Sequence, residues 1–394
     1  MFPKISFYLA HIKRYLVNTD FRESLHSILR YKYMFDKKNK IIFYDLFSIH
    51  RQFTHSTIME LSNIQNKNIV LFTGDKRHED YIFQNKNLNV FYVDSNHTYL
   101  FKLLSNKIFI TAASHLSEKS KPKNSIMIHM FHSLVSVHYI YSENAFDAYD
   151  IFFAAGPHHI TELNRTGKIR NWKNKRFLRI GYPKLDYFSE IKNTSTQELK
   201  TILFAPSWMQ YNLLKLHGVE IVEKALELNY KIIVRPHPHS FTEDIDIINK
   251  IKNISEESNL CILEDSNVNG MDSFMEADIM ISDWSGAAYE YAFGLLKPVL
   301  FIDVPPKMAE CNFVQREFLP MENVCREKVG VVSFIDDFEV NLLKIMNDNT
   351  NWQKKIGQVR SDYVYNFGVS AIEAAKEIVK IKENIPLVNA RIIS

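Results

Sequence analysis

The sequence predicts an α/β protein built from two successive doubly wound domains that face a cleft. Three observations carry that prediction. From residue 41 onward, short β-rich apolar runs of four to six residues recur, separated by helical lengths. Such runs, without polar alternation, mark parallel strands buried on both faces. The runs fall into two series on either side of a polar stretch at Phe188–Glu198, which contains Asn193-Thr194-Ser195-Thr196. The length of 394 residues leaves room for two or three domains, and 46% hydrophobic with 24% charged residues suits large cores.

Before the first strand comes a leader, residues 1–40. It holds nine Lys/Arg against Asp20, Glu23 and Asp36, a balance of +6, whereas the remaining 354 residues balance at −3. Ile5, Leu9, Ile12 and Leu16 recur at the helical period, and Phe21, Leu25, Ile28, Leu29 and Tyr33 continue an apolar–basic pattern. The segment reads as a basic amphipathic helical leader suited to an anionic membrane surface. The plainer alternative is helices packed on the body with solvated lysines. Lys13 and Arg14 interrupt what would be the apolar core of a signal peptide, and no run approaches the ~18–20 apolar residues of a membrane span.

Residues 41–192 form the expected first domain, with strands at Ile41–Tyr44, Ile69–Phe72, Val90–Val93, Ile108–Thr111, Ser125–His129 and Ile151–Ala154. Residues 193–394 form the second, with strands at Ile202–Ala205, Lys231–Val234, Cys261–Leu263, Ile279–Ser282 and Val299–Ile302. Helices are expected at Leu214–Leu228 and Ala287–Leu295, and a terminal one at Ala371–Lys380, packed on the second domain.

Among the 11 glycines the closest pair, Gly286 and Gly294, lies eight positions apart, which excludes the glycine-rich dinucleotide and Walker-type phosphate loops. The three cysteines, Cys261, Cys311 and Cys325, have no C-x-x-C spacing and suggest reduced thiols.

Ligands of doubly wound sheets bind at the carboxyl ends of strands, and four such ends carry informative residues. One strand runs into Arg235-Pro236-His237-Pro238, where the prolines restrain a guanidinium fork suited to phosphate and a histidine able to move a proton. Another runs into Ser282-Asp283-Trp284-Ser285-Gly286 and a helix. Ser282, Asp283 and Ser285 are candidate caps there, and Gly286 permits close approach of an anion to the helix N-terminus. Glu290, a turn further on, is a candidate for a ribose hydroxyl. A third strand ends at Phe131-His132-Ser133, which makes His132 a candidate general base. The fourth ends at Ala205-Pro206-Ser207-Trp208, where Pro206 and Ser207 would line the cleft floor. His129, His132 and His138 have no matching acidic ligand, so no metal site is expected.

These segments, with Gly181-Tyr182-Pro183-Lys184-Leu185-Asp186, occur in an order that resembles the CDP-glycerol glycerophosphotransferase family of teichoic acid and capsule polymer enzymes. The resemblance spans roughly residues 105–305. The family usually has Trp-His-Gly at Phe131-His132-Ser133 and often Asp-Tyr-Ser-Ser at Asp283-Trp284-Ser285-Gly286. The resemblance implies a GT-B-like fold of two Rossmann-like domains, peripheral on the inner face of the cytoplasmic membrane. It implies transfer of a polyol-phosphate, glycerol-phosphate first, from a CDP-activated donor to a glycan or lipid-linked polymer acceptor. CDP would lie on the second domain, its pyrophosphate near Ser285, Arg235 and His237. His132 would take the acceptor's proton and CMP would leave, with His237 as an alternative general acid. No cofactor and no nucleic-acid partner is expected. A GT-B glycosyltransferase using a CMP- or UDP-sugar and a nucleotide-sugar 2-epimerase share this architecture and stay open as alternatives.

Overall fold

The computed structural model describes residues 18–35, 40–47, 50–65, 69–76, 88–114, 116–137, 141–142, 144–191, 200–208, 210–265, 270–306 and 319–384. Seven parallel strands make the first sheet: β1 (Ile41–Asp45), β2 (Ile69–Thr73), β3 (Leu88–Tyr92), β4 (Ile108–Thr111), β5 (Ile126–Met130), β6 (Ile151–Ala154) and β7 (Arg176–Arg179). Their spatial order is β3-β2-β1-β4-β5-β6-β7. Six more make the second sheet: β8 (Thr201–Phe204), β9 (Lys231–Val234), β10 (Cys261–Leu263), β11 (Ile279–Ser282), β12 (Val299–Ile302) and β13 (Gly330–Ser333). Their order, β10-β9-β8-β11-β12-β13, repeats the same doubly wound plan, and again every pairing is parallel. In both sheets the order reverses beside the first strand, which places a ligand crevice outside β1/β4 and β8/β11.

The central strands are the apolar runs read from the sequence. β7 and β13 are additions: each is the last strand at a sheet edge, and β7 (Arg-Phe-Leu-Arg) is half-exposed, so neither carries a continuous apolar run.

The structure places two helices whose packing the sequence left open or assigned elsewhere. The leader's second stretch is a helix, α1 (Thr19–Phe35), docked on the body: Phe21, Ile28 and Tyr31 are buried in the first-domain core with Phe72, Phe91 and Phe101. Its inner face is thereby covered, which leaves Leu29, Tyr33 and Met34 outward beside Arg30 and Lys32. The leader's first stretch, residues 1–17, lies outside the described residues. The terminal helix, Ser370–Glu383, packs on the first domain and not the second. Its Ala374, Ala375, Ile378 and Ile381 join Ile41, Phe43, Ile108 and Ile110 of the first sheet and Ile58 and Leu61 of α2 (Arg51–Gln65) in one buried cluster. An amphipathic face specifies burial but does not name the surface that buries it. The second domain accordingly ends before residue 370.

The Gly181–Asp186 segment is the joint between the domains. Gly181 takes φ +103°, and a Cβ there would lie 2.2 Å from the Tyr365 carbonyl oxygen, so only glycine fits. Asp186 accepts from the N–H groups of Gly368 (3.0 Å) and Ala371 (2.7 Å) and so caps the terminal helix. Tyr182 and Lys184 reach into the second domain, where both meet Glu290. An apolar cluster continues across the joint, from Phe53, Leu134 and Val135 to Ala288, Tyr289 and Ala292.

Candidate active site

His132 stands two residues beyond β5, on the first-domain wall. Its Nδ1 lies 2.8 Å from the carbonyl oxygen of Ala112, which follows β4. A carbonyl only accepts, so Nδ1 carries the proton of the neutral ring and Nε2 keeps its lone pair. The hydroxyl of Tyr141 donates to that lone pair at 3.3 Å, and burial holds the phenol well above its usual range, hence neutral. The ring of His50, at the start of α2, stacks on His132 at 5.6 Å between centroids and 23° between planes. Burial, with His132 second, pushes His50 down to about 3, so it stays uncharged.

His237 follows β9 on the second-domain wall. Here the backbone N–H of His239 donates to Nδ1 at 3.2 Å, so the neutral ring carries its proton on Nε2, the tautomer opposite to that of His132. Trp208 stacks on His237 at 5.4 Å and 25°, and His239 stacks from 5.2 Å at 16°. Arg235 is held from three sides. Its Nε donates to Glu264 at 2.6 Å, and the guanidinium lies 5.0 Å from the centre of the Phe274 ring. A Cβ on Gly270 would come within 2.8 Å of Nη1. Its Nη2 is buried without a partner among the described residues, a donor left over once the local pairing is made.

The helix after β11, α3 (Gly286–Leu295), is capped by Ser285, whose Oγ accepts from Ala287 N–H at 3.3 Å. A Cβ on Gly286 would sit 2.5 Å from Ser133 Oγ, so the loop carrying His132 rests directly on this helix N-terminus. The structure thus brings a base-competent imidazole of the first domain against a helix N-terminus of the second, with its positive dipole end.

Four candidates are corrected from ligand-binding to architectural. Ser282 is buried, and its hydroxyl donates to Ala205 O at 2.6 Å. Buried Asp283 accepts from Ser207 N–H (2.7 Å), Ser207 Oγ (2.9 Å) and Leu213 N–H (3.1 Å), which consumes both side chains in fixing the β8 loop around Pro206. Glu290 is 5% exposed, and its oxygens accept from Tyr182 (2.6 Å) and Lys184 (2.5 Å), so they face the joint and not a ribose. The reason is common to all four. A polar side chain buried at a strand end is satisfied by the nearest backbone or ion-pair partner. Sequence spacing missed His50, Tyr141 and Glu264, because each reaches its histidine or arginine from a distant segment. Cys311 and His138 lie outside the described residues, and these contain no cluster of His, Cys, Asp or Glu fit to hold a metal ion.

Known proteins resemble this chain in sequence and in fold. The model of the family described as CDP-Glycerol:Poly(glycerophosphate) glycerophosphotransferase matches residues 28–304. The teichoic acid glycerol-phosphate primase of Bacillus subtilis (strain 168) is 28% identical over 211 residues, 50% of this chain and 51% of that protein, so the match spans about half of the relative's length. The wall teichoic acid polymerase TagF superposes with a TM-score of 0.64 at 15% identity, over 98% of this chain and 99% of its own. The UDP-GlcNAc 2-epimerase of Neisseria meningitidis, solved with UDP-GlcNAc, follows at 0.54 and 12%, over 87% and 99%. At these identities the two structures establish the shared fold of two Rossmann-like domains.

Proposed function

The chain belongs to the CDP-Glycerol:Poly(glycerophosphate) glycerophosphotransferase family, and from that premise we propose that it transfers glycerol-phosphate from CDP-glycerol to a polymer hydroxyl and releases CMP. The observation that carries the reading is the proton-accepting Nε2 of His132, on a loop seated against the N-terminus of α3. The acceptor hydroxyl replaces Tyr141 at Nε2 and gives up its proton there as its oxygen attacks the β-phosphorus. The new P–O bond forms on one side while the bond to the bridging oxygen breaks on the other, and that oxygen leaves with CMP. Such transfer depends mainly on positioning and on neutralising phosphate oxygens. The helix N-terminus and Arg235 supply the neutralisation, and His237, with its proton on Nε2, donates to the departing phosphate. The reading draws on no cofactor beyond the nucleotide donor. An acceptor anchored at the inner membrane face suits the basic leader and the outward Leu29, Tyr33 and Met34 of α1, with the enzyme bound peripherally.

The test is a donor screen with the purified chain and a glycerol-phosphate-primed acceptor, offering CDP-glycerol, CDP-ribitol, and UDP- and CMP-sugars. CMP release is expected from CDP-glycerol, falling at least ~100-fold in His132→Ala and in His237→Ala. Release of UDP from a nucleotide sugar would replace this reading with a glycosyltransferase, and undiminished turnover in either variant would remove that histidine from the mechanism.

A further inference from the structure

The four residues after Ser133 are held by an arrangement that the transfer chemistry does not itself require. Beside the local bond from Val135 N–H to Ser133 Oγ at 3.3 Å, the loop's hydrogen bonds come from distant segments. Helix α4 (Pro157–Ile169) of the first domain supplies three. His158 Nε2 donates to Leu134 O at 2.7 Å, His159 Nε2 donates to Val135 O at 3.1 Å, and Glu162 accepts from Val137 N–H at 2.6 Å. The tautomer of His159 is consistent with this, since its Nδ1 accepts from Ala155 N–H at 3.4 Å. The second domain supplies the rest, from the first turn of α5 (Met321–Val329). Glu322 accepts from Ser136 N–H through both oxygens, at 3.3 and 3.2 Å, and Met321 N–H donates to Ser136 Oγ at 2.7 Å. Ser136 thus caps a helix of the other domain. Glu162 and Glu322 are each 2% exposed.

We infer that Glu322 is a positioning residue through which the second domain holds the His132 loop in its working geometry, so that the base is complete only when the two domains are together. The inference rests on the proposed transfer reaction for its catalytic consequence, but not for the clamp itself. Two buried carboxylates on adjacent N–H groups of one short loop are an expensive arrangement for mere packing. Burial and then Glu162 raise the Glu322 carboxyl above its usual range. What offsets that burden is a loop tied to both domains next to the reacting centre. Ser133 on Gly286 and Ser136 on α5 tie it to the second domain beside the apolar packing of Leu134 and Val135. A displacement of the base by about 1 Å costs on the order of 100-fold in rate, so loss of either tie is felt at His132 without any change in donor contacts.

The experiment uses the full chain and two kinds of readout. Amide hydrogen exchange at Ser136 and Val137 reports the clamp whatever the reaction is. Glu322→Ala should accelerate it at least ~10-fold, while Glu322→Gln, whose amide oxygen can still accept from Ser136 N–H, should stay near wild type. Ser136→Ala, a smaller change, provides the same comparison through the Met321 bond if Glu322→Ala does not fold. In the turnover arm, Glu322→Ala should lower kcat roughly 10- to 100-fold with KM for CDP-glycerol unchanged. Combined with His132→Ala it should cost nothing further, because it acts through that histidine. Unchanged exchange in both Glu322→Ala and Ser136→Ala overturns the clamp. Faster exchange with wild-type kcat, or a loss additive to that of His132→Ala, overturns the catalytic role. A wild-type chain that releases no CMP from CDP-glycerol rejects the transfer reading instead, and the exchange result still decides the clamp.

Discussion

At the scale of single residues, the site is organised by which atoms are already spoken for. Ala112 O fixes the proton of His132 on Nδ1, and His239 N–H fixes that of His237 on Nε2. One ring therefore faces the cleft as acceptor and the other as donor, an assignment that spacing in the sequence left open. Asp45, at the end of β1, shows the same logic at a cost. Burial raises its carboxyl from 3.8 to about 7, against the opposing hydrogen bond from Thr54 at 2.9 Å and the charge of Arg51. The native state therefore keeps a proton that the unfolded chain releases near pH 4, so stability from this group falls as pH rises from about 4 to 7 and is level above. Asp45→Asn, which can still accept from Thr54, should melt several degrees above wild type at pH 8. The advantage should shrink toward pH 4 in thermal denaturation, and a pH-independent difference would refute the assignment. The histidines, Arg235, Ser285 and Gly286 were legible as strand-end residues. Ser207, Ser282, Asp283 and Glu290 were not, because composition does not say whether a polar group at a strand end faces a ligand or its own fold.

At the scale of elements, legibility followed burial. Strands covered on both faces, such as Ile108–Thr111 and Ile279–Ser282, announce themselves as unbroken apolar runs with sharp ends. Strands β7 and β13 do not, since in each only two apolar residues stand between Arg176 and Arg179 or between Gly330 and Ser333. Helices were recognised by period, yet the period of Ser370–Glu383 is silent about which sheet it covers. Its position on the first domain makes a definite prediction. Ile378 is fully buried in the cluster that includes Ile41 and Phe43. Ile378→Ala should destabilise the first domain by about 2–5 kcal/mol, seen by hydrogen exchange as faster opening of β1 and β4 with β8 and β11 unaffected. Equal loosening of both sheets would contradict that placement.

At the scale of the whole molecule, the domains meet through the Gly181–Asp186 joint, the shared apolar cluster and the His132 loop. The charge is divided as well, +6 over residues 1–40 and −3 over the rest. No helix among the described residues is long and apolar enough to cross a membrane. With α1 docked by its inner face, the surface available for lipid is the outer face bearing Leu29, Arg30, Lys32, Tyr33 and Met34. The full chain should co-sediment with anionic phospholipid vesicles and not with zwitterionic ones. Binding should weaken in ~1 M salt, where the screening length falls to about 3 Å, and in the variant Leu29→Ser/Tyr33→Ser/Met34→Ser. Equal binding to both vesicle types, or none to either, would remove the membrane from the proposed function.

The return of Ser370–Glu383 to the first sheet also sets an order of events during synthesis. The first domain leaves the ribosome long before the helix that completes it. At about 5–20 residues per second, the roughly 180 residues between the joint and that helix take on the order of 10–40 s to emerge. For that interval one face of an otherwise finished sheet, including Ile41, Phe43, Ile108 and Ile110, has only the part of its cover that α2 supplies. The part of the chain made first is thus the last to close, and the nascent protein is exposed to chaperones and to misassociation on the very face that its C-terminal segment later seals.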